Sequence, residues 1–137
     1  MIKFQFAFLF CVIFRLFIPA ESTAQADRWI FFSGSYDDVS FYYDSYSIEY
    51  KNYNTTNNRQ ISVWVKVFYS YNSKEFQENN WNYLIQKWEM DCIRKKITLT
   101  DAVIYYTDGT HITSPIYDVQ NIVPDTSGEQ LYFVLCK

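Results

Sequence analysis

Between residues 59 and 69 apolar and polar side chains alternate. Ile61, Val63, Val65 and Val67 fall on one side of an extended chain and Ser62, Trp64, Lys66 and Phe68 on the other. A side-chain period of two marks a strand, and large residues on both sides predict a central position in its sheet. Residues 27–32, with Trp29, Ile30, Phe31 and Phe32, predict a first strand, and residues 39–43 a second. The break at Ser33-Gly34-Ser35 is short enough for the two to pair as a hairpin. Residues 47–50 resume an extended pattern, and the run 52–58, Asn-Tyr-Asn-Thr-Thr-Asn-Asn, is too polar to bury and predicts a loop.

Between residues 74 and 92 the pattern contradicts itself. Trp81, Leu84, Ile85 and Trp88 fit a helical stripe, whereas Leu84, Gln86, Trp88 and Met90 fit strand alternation, so periodicity leaves both readings open. From 97 to 106 β-branched and aromatic residues return, and Asp108-Gly109 supplies the turn of a hairpin into 110–114. Pro115 and Pro124 bracket a connection that is expected to stay out of any central ladder. In the last segment Asp125, Thr126 and Ser127 are N-cap candidates, Glu129 stands in the first turn, and Leu131, Val134 and Leu135 recur at helical spacing. A short C-terminal helix is the expectation; a strand through Leu131, Phe133 and Leu135 competes with it.

Composition sharpens this picture at three points. Aromatic residues make up 21% of the 137, which favours strands, because such rings suit a pleated and half-buried surface. A net charge of -3 removes any general attraction to phosphate backbones, so nucleic acid is not an expected partner. At the N-terminus Lys3, an apolar run from Phe6 to Phe14, Pro19 and Ala24-Gln25-Ala26 have the layout of a cleaved export signal. Residues 1–26 are therefore expected to be a signal peptide, with the domain at 27–137. The rival reading, a membrane anchor, needs about 20 apolar residues, and Arg15 interrupts this run. Cys11 follows Phe10, where a lipid-attachment signal needs a small residue.

Cleavage leaves Cys92 and Cys136 in a compartment that permits disulfides. One bridge between them is the expectation, worth about 4 kcal/mol by loop-closure entropy. A metal site would need more ligands than one histidine and two cysteines supply, and a reactive thiol would call for a Cys-x-x-Cys spacing or a nearby histidine. Among catalytic arrangements, a Ser/His/Asp triad has only His111 as its base, read as a solvated loop-edge residue. Asp37, Asp38, Asp44 and Glu49 are the carboxylates available for glycoside hydrolysis, with no spacing that opposes two of them across a cleft. No nucleotide or hydrolase motif occurs, and three glycines leave little for a phosphate cradle. The expectation is a non-enzyme without metal or cofactor. Binding has better candidates: Tyr36, Tyr42, Tyr43, Tyr46, Tyr50 and Tyr53 crowd one stretch, divided between core and contact surface. Arg94-Lys95-Lys96 is a basic triplet that suits an acidic partner or a solvated strand end. Asn54-Thr55-Thr56 is a chance match to a glycosylation sequon.

Four segments carry a resemblance. They are Val39-Ser40-Phe41-Tyr42-Tyr43-Asp44-Ser45-Tyr46-Ser47-Ile48 after Trp29, then Val63-Trp64-Val65-Lys66, then Asp91-Cys92, and Ile122-Val123-Pro124-Asp125-Thr126 leading to Cys136. In this order the chain resembles the surface-adhesin protein E family of small exported bacterial proteins over nearly all of residues 27–137. The resemblance implies an α+β fold, an antiparallel β-sheet of about six strands with a C-terminal α-helix packed on one face and tethered by the Cys92–Cys136 disulfide. It also implies a strand at 81–90. For function it implies an exported, non-enzymatic adhesin-like protein of the periplasm or cell surface, with no cofactor and no membrane span after signal cleavage. Its partner would be a protein, of host extracellular-matrix origin in the named adhesins, and it would associate as a homodimer through the sheet. Tyr42, Tyr46, Arg94, Lys95 and Lys96 are the candidate contact residues. One departure favours an alternative: the stretch before the first cysteine is basic in the adhesin that names the family, and here it carries Glu75, Glu78, Asn79, Asn80 and Asn82. An envelope structural or accessory protein with a bacterial partner fits that change, since the charges that attract acidic surfaces are gone.

Overall fold

The computed structural model describes residues 28–34, 37–51 and 59–137; the signal segment 1–26, Tyr36, Tyr53 and the Asn54 sequon lie outside the described residues. Strands β1 (Trp29–Gly34), β2 (Val39–Asp44), β3 (Glu49–Lys51), β4 (Gln60–Tyr69), β5 (Trp81–Asp91), β6 (Lys96–Tyr106) and β7 (His111–Asn121) form one sheet. Every pairing in it is antiparallel. The order is β1-β2-β4-β5-β6-β7, and β3 pairs with β4 beyond the end of β2. Two helices complete the described residues, α1 (Lys74–Asn79) and α2 (Ser127–Leu135).

The alternation in β4 has the consequence expected of it. Ile61, Val63, Val65 and Val67 are buried and form one core cluster with Leu84, Trp88 and Met90 of β5 and with Ile97 and Ala102 of β6. Each buried aliphatic side chain contributes about 2 kcal/mol. The contradictory stretch at 81–90 is a strand, because β4 and β6 flank it and satisfy its backbone on both sides. Gln86, half-buried between Leu84 and Trp88 on the core side of β5, accepts from Trp88 Nε1 at 3.3 Å.

Two expectations need correction, and one element is additional to them. The region around Pro115 is not a connection: β7 runs through it to Asn121. As the last strand, β7 has a solvent edge where a missing N–H costs nothing, and the β6–β7 register shifts between Leu99 and Asp101, the residue opposite Pro115. Helix α1 was not foreseen; Ser73 Oγ caps it by accepting from Phe76 N at 3.2 Å, and Asn80 ends it in the left-handed region (φ 57°). The extended stretch begins at Glu49, not Ser47, because Ser45–Ser47 is a 3-10 turn.

The C-terminal segment is helical. Thr126 Oγ1 accepts from Glu129 N at 3.4 Å, and Glu129 Oε2 accepts from Asp125 N at 2.9 Å, a reciprocal cap spread over one more residue than usual. Leu131 and Leu135 are buried and belong to the same core cluster as the strands. A Cβ on Gly128 would stand 2.9 Å from Ile97 Cδ1, so any larger residue there would have to displace the Ile97 methyl where helix meets strand. The Cys92–Cys136 disulfide joins the end of α2 to the turn after β5, with Cα atoms 5.5 Å apart. Tyr132 Oη also donates to the Cys92 carbonyl at 3.3 Å.

Candidate binding face

The residues of β4 that point away from the core meet their neighbours across the sheet, and the register says which. Tyr42 of β2 stands opposite Lys66, Tyr83 of β5 opposite Tyr105 of β6, and Tyr105 opposite His111 of β7. Lys66 Nζ lies 4.3 Å from the Tyr83 ring centroid and 6.0 Å from that of Trp29. Tyr83 stacks on Tyr105 with centroids 4.4 Å apart and planes 19° apart, and Tyr105 on His111 at 5.4 Å and 29°. A row of one cation and three rings thus crosses four strands. Contacts of this kind contribute about 0.5–1.5 kcal/mol each. Burial, and then the charge of Tyr105, raises the Tyr83 phenol above its usual pKa.

Beside the row a shallow hollow of about 220 Å³ is lined by Arg28, Trp29, Asp44, Trp64, Ile85, Val103 and Tyr105. Asp44 forms its wall and is itself almost fully buried. Arg28 Nε and Nη2 donate to Asp44 Oδ2 at 3.0 and 2.8 Å, a charge-assisted fork whose hydrogen bonds raise the Arg28 pKa. The other carboxylate oxygen accepts from Tyr46 N at 3.1 Å and caps the 3-10 turn. Ser47 Oγ then accepts from Trp64 N at 2.9 Å. That bond satisfies a β4 donor in the gap between β2 and β3. The Asp44-Ser45-Tyr46-Ser47 motif is therefore a device for breaking one strand into two along β4.

The sequence candidates separate. Tyr42 is on this face and meets Phe31 edge-on at 5.6 Å; Tyr43, one residue on, turns to the core side against Phe32 at 6.1 Å. Tyr46 is 72% exposed on the 3-10 turn. The basic triplet is split: Arg94 Nη1 lies 3.5 Å from Asp91 Oδ2, Lys95 Nζ lies 5.7 Å from the Tyr132 ring of α2, and Lys96 opens β6. Asp91 Oδ1 shapes this turn by accepting from the Ile93 and Arg94 amides at 3.1 and 2.9 Å. His111 stands at the start of β7 and is a ring in the row rather than a lone solvated side chain. Sequence reasoning did not find Lys66, Tyr83 and Tyr105 as a unit, since their union depends on pairings between distant strands. The polar side of the β4 alternation was the one signal pointing there. Among the described residues no cluster of His, Cys, Asp and Glu suits a metal ion, and no helix is long and apolar enough to cross a membrane.

Comparison with known proteins agrees with this architecture. The family model described as surface-adhesin protein E matches residues 29–137. Two crystal forms of Haemophilus influenzae protein E share the fold. One superposes with a TM-score of 0.55 at 15% identity, covering 80% of this chain and 84% of that one. The other gives 0.56 at 15% identity, covering 80% and 87%. No curated protein sequence matches.

Proposed function

The chain belongs to the surface-adhesin protein E family, and from that premise we propose that it is an exported, non-enzymatic adhesin-like protein that holds another protein against the open face of its sheet. The observation that carries the reading is the row Lys66, Tyr83, Tyr105 and His111 beside the Trp29–Trp64 hollow. Half-exposed tyrosine and tryptophan rings are the residues that dominate interface centres. In this reading residues 1–26 are removed on export, and α2 lies on the opposite face, supported by the burial of Leu131 and Leu135 and by the Gly128–Ile97 approach. Tyr42 extends the contact surface and Tyr46 borders it; Arg94, Lys95 and Lys96 lie at the far end of β5 and β6, outside this surface, and dimers form through the sheet. The partner is a host matrix protein.

A second reading, an envelope accessory protein with a bacterial partner, is favoured by α1, which presents Glu75 and Glu78 where a host-binding strip would be basic. Immobilised vitronectin and laminin separate the two. The first reading expects the purified protein to bind one of them, and a Trp64→Ala/Tyr105→Ala double variant to lose that binding while staying folded by circular dichroism. Silence of the folded wild type on both surfaces removes the adhesin reading.

A further inference from the structure

The open face has a second, chemically different end. Where β3 to β7 come together opposite the aromatic row, a cleft of about 330 Å³ is lined by Lys51, Glu89, Asp91, Arg94, Lys96 and Tyr117, among others. Its ionic groups are mostly paired within the fold: Lys51 with Glu89, and Arg94 with Asp91. Lys96 has no ion-pair partner among the described residues. The cleft therefore holds three cations against two carboxylates, a positive site on a chain whose net charge is -3. At its rim the Tyr117 ring is 82% exposed and Val119 is 46% exposed, on the last strand of the sheet.

Three features together specify a ligand. An unpaired cation wants a carboxylate or a similar anion. Carboxylates and ammonium or guanidinium groups side by side offer acceptors and donors within one small volume, which suits hydroxyl groups, since each hydroxyl both donates and accepts. A projecting aromatic ring offers a flat apolar surface to a ring-shaped ligand. The volume is at the lower end of small-molecule sites, larger than the end of one acidic side chain requires. A run of acidic residues would also meet Glu89 and Asp91 as like charges. We propose that this cleft binds a carboxylated sugar, a hexuronate or sialate ring: its carboxylate on Lys96, its hydroxyls on the Lys51–Glu89 and Arg94–Asp91 pairs, and its apolar flank on Tyr117. The site is separate from the aromatic row and stands or falls without the protein-binding reading.

Titration of the full protein followed by NMR, with glucuronate, N-acetylneuraminate, glucose and a tetraglutamate peptide as probes, tests it. The expected result is saturable binding of glucuronate or N-acetylneuraminate at about millimolar Kd or tighter, with whichever binds naming the source. Glucose should bind at least about tenfold more weakly, and Lys96→Gln should weaken the acidic sugar by about tenfold. Tyr117→Ala, a change at a solvent-exposed position, should weaken it too, while Trp64→Ala leaves it unchanged. No saturable binding of either acidic sugar overturns the proposal. So does tetraglutamate binding as tightly as the sugars, or sugar binding indifferent to both Lys96→Gln and Tyr117→Ala.

Discussion

Strands β4 and β5 present two faces from one backbone, and the faces solve different problems. Toward the core, Ile61, Val63, Val65 and Val67 meet Leu84, Trp88 and Met90, and Leu131 and Leu135 of α2 belong to the same cluster. These side chains need only shape and exclusion of water; all but Trp88 lack polar hydrogen-bonding groups. On the other side Trp64, Lys66 and Phe68 face Tyr83, Ile85 and Lys87. Here Trp64, Lys66, Tyr83 and Lys87 each combine an apolar body with a charge or a polar tip, and Phe68 and Ile85 add purely apolar surface between them. Lys66 shows how: its stem crosses the sheet and its ammonium rests over Tyr83. The comparison teaches that bulk alone does not make a core. A face of rings and cations is organised laterally, strand to strand, and remains available for contact.

The strongest way to break the contrast is to release the element joined covalently to the core side. Cys136→Ser opens a bridge between residues 44 apart in sequence and is expected to cost about 4 kcal/mol, lowering Tm by on the order of 15 °C under oxidising conditions. A melting curve unchanged from wild type would contradict that tether. Next in size, Leu131→Ala leaves a cavity in the core cluster and should cost about 3 kcal/mol. Lys66→Ala on the open face removes a cation–π contact and should cost less than about 1 kcal/mol. Urea unfolding of both variants measures the difference, and equal losses would erase the distinction between the faces.

The same contrast explains what the sequence revealed. The core side was legible because strand alternation reports burial directly: the four β4 residues assigned to one face are all buried, while of those assigned to the other only Ser62 is. The C-terminal helix was legible because its cap is local, Thr126 and Glu129 standing three residues apart. The 81–90 stretch was not legible from periodicity, since Leu84 and Trp88 satisfy helix and strand alike, and only pairing with two neighbours decides. Proline at 115 misled because its exclusion from ladders applies to central strands, and edge position is a property of the whole sheet. The open-face row stayed hidden for a related reason. Lys66, Tyr83, Tyr105 and His111 sit on four strands, and their adjacency follows from register, which no one segment carries. The tyrosine-rich stretch drew attention instead, and it divides between the faces, Tyr42 outward and Tyr43 inward.

Tyrosines on the two faces give the smallest and most selective test. Tyr69 ends β4 on the core side, 8% exposed and 5.9 Å from the Trp81 ring. Burial first, and then the negative charge of Glu75, pushes its phenol from 10.0 up to about 12. The native state therefore keeps a proton that the unfolded chain gives up near pH 10. Where the unfolded state binds fewer protons, stability falls as pH rises. The contribution is complete below about pH 10 and declines as pH climbs toward about 12. Denaturant unfolding across that window should show the decline in wild type and a shallower one in Tyr69→Phe. Tyr83 is raised in the same direction but stands half-exposed on the open face, so Tyr83→Phe should follow wild type more closely. Tyr69→Phe differs from wild type by one hydroxyl, so the difference between their two curves isolates the phenol. A Tyr69→Phe curve as steep as wild type would mean that the buried end of β4 opens to water before the rest of the core.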